Sequence, residues 1–258
     1  MQVRQLPLSR GWAWITEGLA IWRRNPALLT FASLGYLLML LLISIVPLVG
    51  QPLASLLMPV FSLGVLNTCR AIDEGRKAGP DILFSGFQQN LPALVTIGAL
   101  YLGGSLLVLF LTSLADGGTL LQIMTGAEQV DPEAAAGTPG FTLSLLIAVA
   151  LSTPVMMAYW FAPLLAGWWK IPAPKAMFFS FVACLRNWRP FLAYAIALTV
   201  FVAILPGIVI GVLGLISPML ATLVSVPLPV LLIPIVFASF YANARDVFDL
   251  ASNVRATE

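Results

Sequence analysis

Residues 22–26 read Trp-Arg-Arg-Asn-Pro and stand directly before a long apolar run, 27–46. How these five residues are read decides the architecture. Asparagine tolerates the left-handed backbone that closes one helix, and proline fits the first turn of the next. Asn25-Pro26 therefore reads as an elbow between a short helix and a spanning one. Looser versions recur at 88–92, Gln-Gln-Asn-Leu-Pro, and at 186–190, Arg-Asn-Trp-Arg-Pro, each again followed by an apolar run. Upstream of the first elbow, Trp12, Ile15, Leu19 and Trp22 are spaced three, four and three apart, so they share one helix face, with Glu17 and Arg24 off it. Such a helix is expected to lie in the membrane interface with its aromatic face at headgroup level. Segments 81–90 and 175–187 fit the same role before the other two elbows.

The chain has 258 residues, of which 60% are hydrophobic and 9% charged, and its mean hydropathy is +0.97. Soluble domains carry about a quarter charged residues, so this chain cannot cover a globule with polar surface. A helix needs about 20 apolar residues to cross a hydrocarbon core roughly 30 Å thick. Six runs meet that length, at 27–46, 52–69, 93–114, 141–167, 191–213 and 219–241. The expected fold is all-α and transmembrane: one integral membrane domain, a six-helix bundle of three helical hairpins. Each hairpin follows an amphipathic interfacial elbow helix, in a degenerate internal repeat with units near 9–77, 81–170 and 175–249. Pro59 precedes Arg70 by eleven residues and Pro234 precedes Arg245 by eleven. Arg70 with Asp73, and Arg245 with Asp249, have the spacing of ion pairs along a helix face. The middle unit ends Trp168-Trp169-Lys170 and lacks the acid. Gly207 and Gly211 form a GxxxG expected to admit a neighbouring helix. Pro154, Pro163, Pro206, Pro227, Pro229 and Pro234 are expected to kink or interrupt their spans.

Charge orients the bundle. All thirteen Lys and Arg residues fall in the N-terminal segment, the second–third loop, the fourth–fifth loop or the C-terminal tail. The positive-inside rule makes that side cytoplasmic, with both termini on it. Loop 115–140 carries Asp116, Glu128, Asp131 and Glu133 without a base, which fits the outside; Asp131-Pro132-Glu133 is expected to start a short helix ending near Gly137. Four arginines spread along the first 26 residues do not make a cleavable leader, so the first span is expected to direct insertion.

The chain has no histidine, which removes the commonest general base and metal ligand. It has no P-loop, no phosphate-binding GxGxxG, and no nucleophile with an imidazole partner. No ionisable residue falls inside a run. Cys69 and Cys184 are too far apart in sequence for a C-x-x-C pair and are expected to stay reduced near the cytoplasmic side. The acidic loop lacks the alternating spacing of a calcium site. No catalytic residue, cofactor or metal is therefore expected, and a net charge of +2 implies no nucleic-acid partner. What stands out is a basic, Trp-rich cytoplasmic rim: Trp22, Arg23, Arg24, Arg70, Asp73, Arg186, Asn187, Trp188, Arg189, Arg245 and Asp249. Two readings are open. The rim holds anionic membrane lipids or a membrane-protein partner, or its long side chains snorkel and only fix topology. A transporter or channel for an uncharged or amphipathic solute is the alternative function, motivated by the proline-interrupted spans.

The stretches 11–26 (Gly-Trp-Ala-Trp-Ile-Thr-Glu-Gly-Leu-Ala-Ile-Trp-Arg-Arg-Asn-Pro), 69–76 (Cys-Arg-Ala-Ile-Asp-Glu-Gly-Arg), 83–87 (Leu-Phe-Ser-Gly-Phe) and 180–187 (Ser-Phe-Val-Ala-Cys-Leu-Arg-Asn) together resemble an uncharacterised family of proteobacterial, Burkholderia-type inner-membrane proteins with six spans. More distantly, the elbow-and-hairpin plan is similar to YciC-like proteins and to the membrane domain attached to some glycerophosphodiester phosphodiesterases. The resemblance implies location and fold. It carries no activity, ligand or catalytic residue, and the phosphodiesterase's catalytic domain has no counterpart in this sequence.

Overall fold

A computed structural model describes residues 3–125 and 139–249, and among them every regular element is helical. In chain order these are α1 (Arg10–Arg24), α2 (Pro26–Ser44), α3 (Gly50–Asp73), a 3-10 helix (Pro80–Gln88), α4 (Leu91–Asp116), α5 (Thr119–Thr125), α6 (Pro139–Trp160), α7 (Ala162–Trp168), α8 (Ala173–Arg186), α9 (Trp188–Thr199), a π-helical turn (Val200–Ile204), α10 (Leu205–Ile216), α11 (Pro218–Ser225) and α12 (Leu228–Val247). Six stretches are long and apolar enough to span, at 26–44, 50–73, 91–116, 140–168, 188–216 and 218–247. They match the six sequence runs to within a few residues at most ends, so the protein is an all-α transmembrane bundle. Helix α5 lies in what reads from sequence as plain loop. Asp116 caps it, accepting from Gly118 N and Leu120 N at 2.9 Å each. The short helix expected from Asp131 lies outside the described residues.

Each span pair follows a short helix, yet the three elbow asparagines do three different jobs. Asn25 is not left-handed (φ −150°); its side chain accepts from Leu28 N at 3.2 Å and caps α2. Asn90 alone adopts the left-handed conformation (φ 45°), and its amide donates to Ala166 O at 3.0 Å. Asn187 is buried: it accepts from Leu6 N and donates to Arg4 O and Ala183 O, each at 3.0 Å. The third elbow thus clamps the N-terminal segment, which also donates from Arg4 N to Val247 O. The second elbow is a 3-10 helix rather than an α-helix.

Helix α1 departs most from expectation. The buried face is Gly11, Trp14, Ile15, Gly18 and Ile21, while Trp12 is 56% exposed. The face is rotated because α1 packs inside the protein, wedged between α9 and α12. Two glycines permit this: a Cβ on Gly11 would stand 2.6 Å from Tyr194 N, and one on Gly18 2.5 Å from Ser239 N. Trp14 is fully buried and meets Phe191 and Tyr194 edge-on at 5.8 and 5.5 Å.

Proline and one serine shape the rest. Pro163 ends the helical ladder of the fourth span at Phe161. Ser180 of α8 enters the gap: its hydroxyl donates to Met157 O at 2.7 Å and accepts from Phe161 N at 2.8 Å. Both backbone groups of the broken rung are satisfied, as a bilayer requires. Pro206, lacking an N–H for Val202 O, follows the π turn, in which Leu205 N bonds Val200 O instead. Pro227 caps the start of α12, which follows α11 after two residues, and Pro229 is the second residue of α12.

Packing is concentrated at the end of the bundle that carries both termini. There the second half of α3, α7 and the second half of α12 are largely buried, and α8 buries one face. At the other end α10 and α11 contribute no buried residue. The GxxxG expectation is corrected: among the described residues nothing lies within 4 Å of a Cβ at Gly207 or Gly211. The close crossings use Gly11, Gly18, Gly64, Gly86 and Gly98, the third and fourth of which let α3 and the 3-10 helix meet backbone to backbone.

Candidate functional site: a basic rim around an ion network

The elements buried at the terminal-bearing end bring α1, α3 and α12 together, and an ion network joins them. Arg10 bonds Asp246 (Nε to Oδ2 2.6 Å) and Glu17 (2.6 Å). Glu17 also accepts from Arg245 at 2.6 Å, Arg245 reaches Asp73 at 2.7 Å, and Asp73 accepts from Arg24 at 3.0 Å. Trp14 Nε1 donates to Asp246 at 2.9 Å and Tyr241 to Asp73 at 3.3 Å. Three arginines face three carboxylates, so the cluster is neutral. Burial would lower the Arg10 pKa, but its bonds to Asp246 and Glu17 outweigh that and raise it.

The two helix-face pairs expected from spacing do not form. Arg70 pairs with Glu74 at 2.8 Å, not with Asp73, and its guanidinium lies 5.1 Å from the Trp168 ring centre. Arg245 pairs with Glu17 and Asp73, and Asp249 instead takes Arg4 at 3.2 Å. Asp73 is taken by Arg24 of α1 and Arg245 of α12, and Arg70 turns to Glu74 one helical turn on. Arg10, Glu17 and Asp246 are absent from the sequence list of candidates. Arg10 and Glu17 are seven apart, two turns along one helix face, which was the available signal.

The rim candidates divide accordingly. Arg24, Arg70, Asp73, Arg245 and Asp249 sit in ion pairs, Asn187 is a buried clamp, and Trp22 Nε1 donates to Thr30 at 3.2 Å. Arg23, Arg186 and Arg189 are exposed and make no ion pair among the described residues, as do Lys77, Lys170 and Lys175. Of the described carboxylates at this end, every one except Asp81 is engaged by an arginine. Glu74 holds both Arg70 and Arg76; burial raises its pKa, but these two arginines lower it further, so it sits below the usual glutamate range. The surplus positive charge is therefore carried by side chains with no acidic partner among the described residues. Arg189 stacks on the exposed Trp188 ring at 5.5 Å.

Trp188 also borders an apolar groove of about 410 Å³ between α6 and α9, walled by Thr153, Met156, Trp160, Leu192, Ala195 and Leu198 among others. A larger apolar cleft, about 730 Å³, opens where the fifth and sixth spans diverge, with Val202 and Pro206 on one side and Pro229 and Ile233 on the other. Cys184 reaches the first groove as a buried free thiol, pushed up to about 12 by burial, and Cys69 is buried and free as well.

Six apolar spanning helices closed at one end by a neutral ion network, and rimmed there by cations without acidic partners among the described residues, define a polytopic integral membrane protein. Over 258 aligned positions the chain is 36% identical to a probable inner membrane protein of Burkholderia thailandensis, covering 96% of this chain and 94% of the other. The chain belongs to that family of inner-membrane proteins. The relative's name states a location and no catalytic activity. No family model matches the chain, and no solved structure matches it.

Proposed function

We propose that the protein is a non-enzymatic inner-membrane factor that binds anionic lipid through its basic, Trp-rich end, and that this end faces the cytoplasm. One observation carries the reading: six exposed cations, Arg23, Lys77, Lys170, Lys175, Arg186 and Arg189, have no carboxylate partner among the described residues, while the other described bases are neutralised internally. A cation near an anionic leaflet contributes about 1 kcal/mol of attraction. Charges that only anchored topology would serve equally well paired.

Reversing Arg23, Arg186 and Arg189 to Glu is expected to cut retention of anionic lipid on the purified protein several-fold while leaving thermal stability near wild type, since none of the three holds the fold together. Undiminished retention in a folded triple variant would sink the lipid reading. The orientation has its own check. A cysteine at Lys77 should react with an impermeant maleimide only after the inner membrane is opened, whereas one at Leu48, 98% exposed at the opposite end, should react in intact spheroplasts. The reverse pattern would invert the topology.

The 730 Å³ cleft beside the π turn favours a second reading, a path for an amphipathic solute. Proteoliposomes carrying the protein would then move such a solute, and bulky substitution at Ala203 would stop them.

A further inference from the structure

We propose that the groove between α6 and α9 is a site for one acyl chain of an anionic glycerophospholipid of the leaflet at the basic end, with Arg186 and Arg189 holding its phosphate. The inference rests on the lipid reading above and names its site. Trp188 and Cys184 lie at the mouth of the groove, and Leu198 and Thr153 at its far end. From Trp188 to Leu198 is ten residues of helix, about 15 Å at 1.5 Å per residue. That is half of a hydrocarbon core roughly 30 Å thick, so the groove is one leaflet deep. Its walls are almost wholly apolar: Thr153 is the one hydroxyl aliphatic among Met156, Met157, Trp160, Phe191, Leu192 and Leu198, with Tyr194 turned to bond Ser239 at 2.7 Å.

The mouth supplies the opposite chemistry. Arg186 ends α8 and is exposed, and Arg189 in the first turn of α9 lies over the Trp188 ring. Neither has a carboxylate partner among the described residues, and the amino end of α9 adds its partial positive charge. A protein helix laid in this groove would have to bring its own acid to two arginines at the interface. A phospholipid brings a phosphate at that depth with a chain of the right reach, and the bilayer supplies it at high concentration. The Trp188 ring stands between the headgroup and chain regions, where indoles prefer to sit.

The test is native mass spectrometry of the full chain in mild detergent with equal amounts of phosphatidylglycerol and phosphatidylcholine. Wild type should retain the anionic lipid about tenfold better. Ala195→Phe, which fills the groove from α9, and Thr153→Phe, which fills it from α6, should each abolish that preference, as should the pair Arg186→Ala and Arg189→Ala. The pair Arg23→Ala and Lys77→Ala should weaken it without abolishing it, since neither lines the groove. If the preference survives both groove variants but disappears with Arg23 and Lys77 changed, the groove assignment falls and the general lipid reading stands. If wild type retains neither lipid selectively, both fall. A stoichiometric protein partner released by the groove variants would overturn the proposal in favour of helix docking.

Discussion

Glu17→Ala is expected to be among the most destabilising polar substitutions in this protein, lowering stability by about 3 kcal/mol, as removal of one member of a part-buried ion network does. Glu17 joins Arg10 to Arg245 at 2.6 Å on both sides, and its side chain is 27% exposed. Without it two guanidiniums face each other across the α1–α12 contact, held only by Asp246 and Asp73. Glu17→Gln keeps the shape and loses the charge, and should fall between alanine and wild type. Arg23→Ala, six residues on along the same helix but unpaired, should change stability by less than about 0.5 kcal/mol. Thermal midpoints in one detergent decide the matter; equal midpoints for Glu17→Ala and Arg23→Ala would mean that the network does not hold α1. A double-mutant cycle of Glu17 with Arg245 should show coupling of about 1–3 kcal/mol, with little dependence on salt because the pair is shielded from solvent.

Glycine substitution gives the second large effect and reverses the intuitive ranking. An added methyl at Gly64 would overlap the Leu83 carbonyl oxygen, and one at Gly86 the Val60 carbonyl oxygen, both rigid backbone. Gly64→Ala should cost about 1–3 kcal/mol through overpacking, and Gly64→Val more. Gly207→Ala and Gly211→Ala meet open space. They should be neutral or stabilise by a few tenths to about 1 kcal/mol, because alanine is the better helix former. If instead Gly207→Ala proved the more damaging, the GxxxG of the fifth span would have to be a helix contact in the membrane.

The two results share a physical root. GxxxG and i, i+3 or i, i+4 charge pairs are local patterns, and local patterns state what a helix face can accept without stating which face finds a neighbour. Arg70 with Asp73 had acceptable spacing, but α1 and α12 carried Arg24 and Arg245 to Asp73. Trp12, Ile15, Leu19 and Trp22 made a plausible interfacial stripe. The stripe turned because Gly11 and Gly18, each unremarkable alone, allowed α1 to sink between α9 and α12 and bury Trp14. The candidate rim was legible as a set of residue types, since basic residues cluster at span ends. Its division into paired and unpaired members was not, because pairing depends on distances across helices far apart in sequence.

By itself the sequence determined the class, the number of spans and their bounds to within a few residues at most ends. Those follow from apolar run length and from proline and asparagine punctuation, which act within a few residues of chain. The tertiary structure alone decided that α1 is a buried wedge, that Ser180 repairs the rung broken before Pro163, that Arg245 ties α12 to α1 and α3 through Glu17 and Asp73, and that Arg186 and Arg189 have no acidic partner among the described residues beside a groove one leaflet deep. Each of these rests on close approach between segments tens to hundreds of residues apart. In a bilayer, where burial of apolar surface no longer selects between faces, such approach is set by glycine clearance and by the need to satisfy every buried polar group.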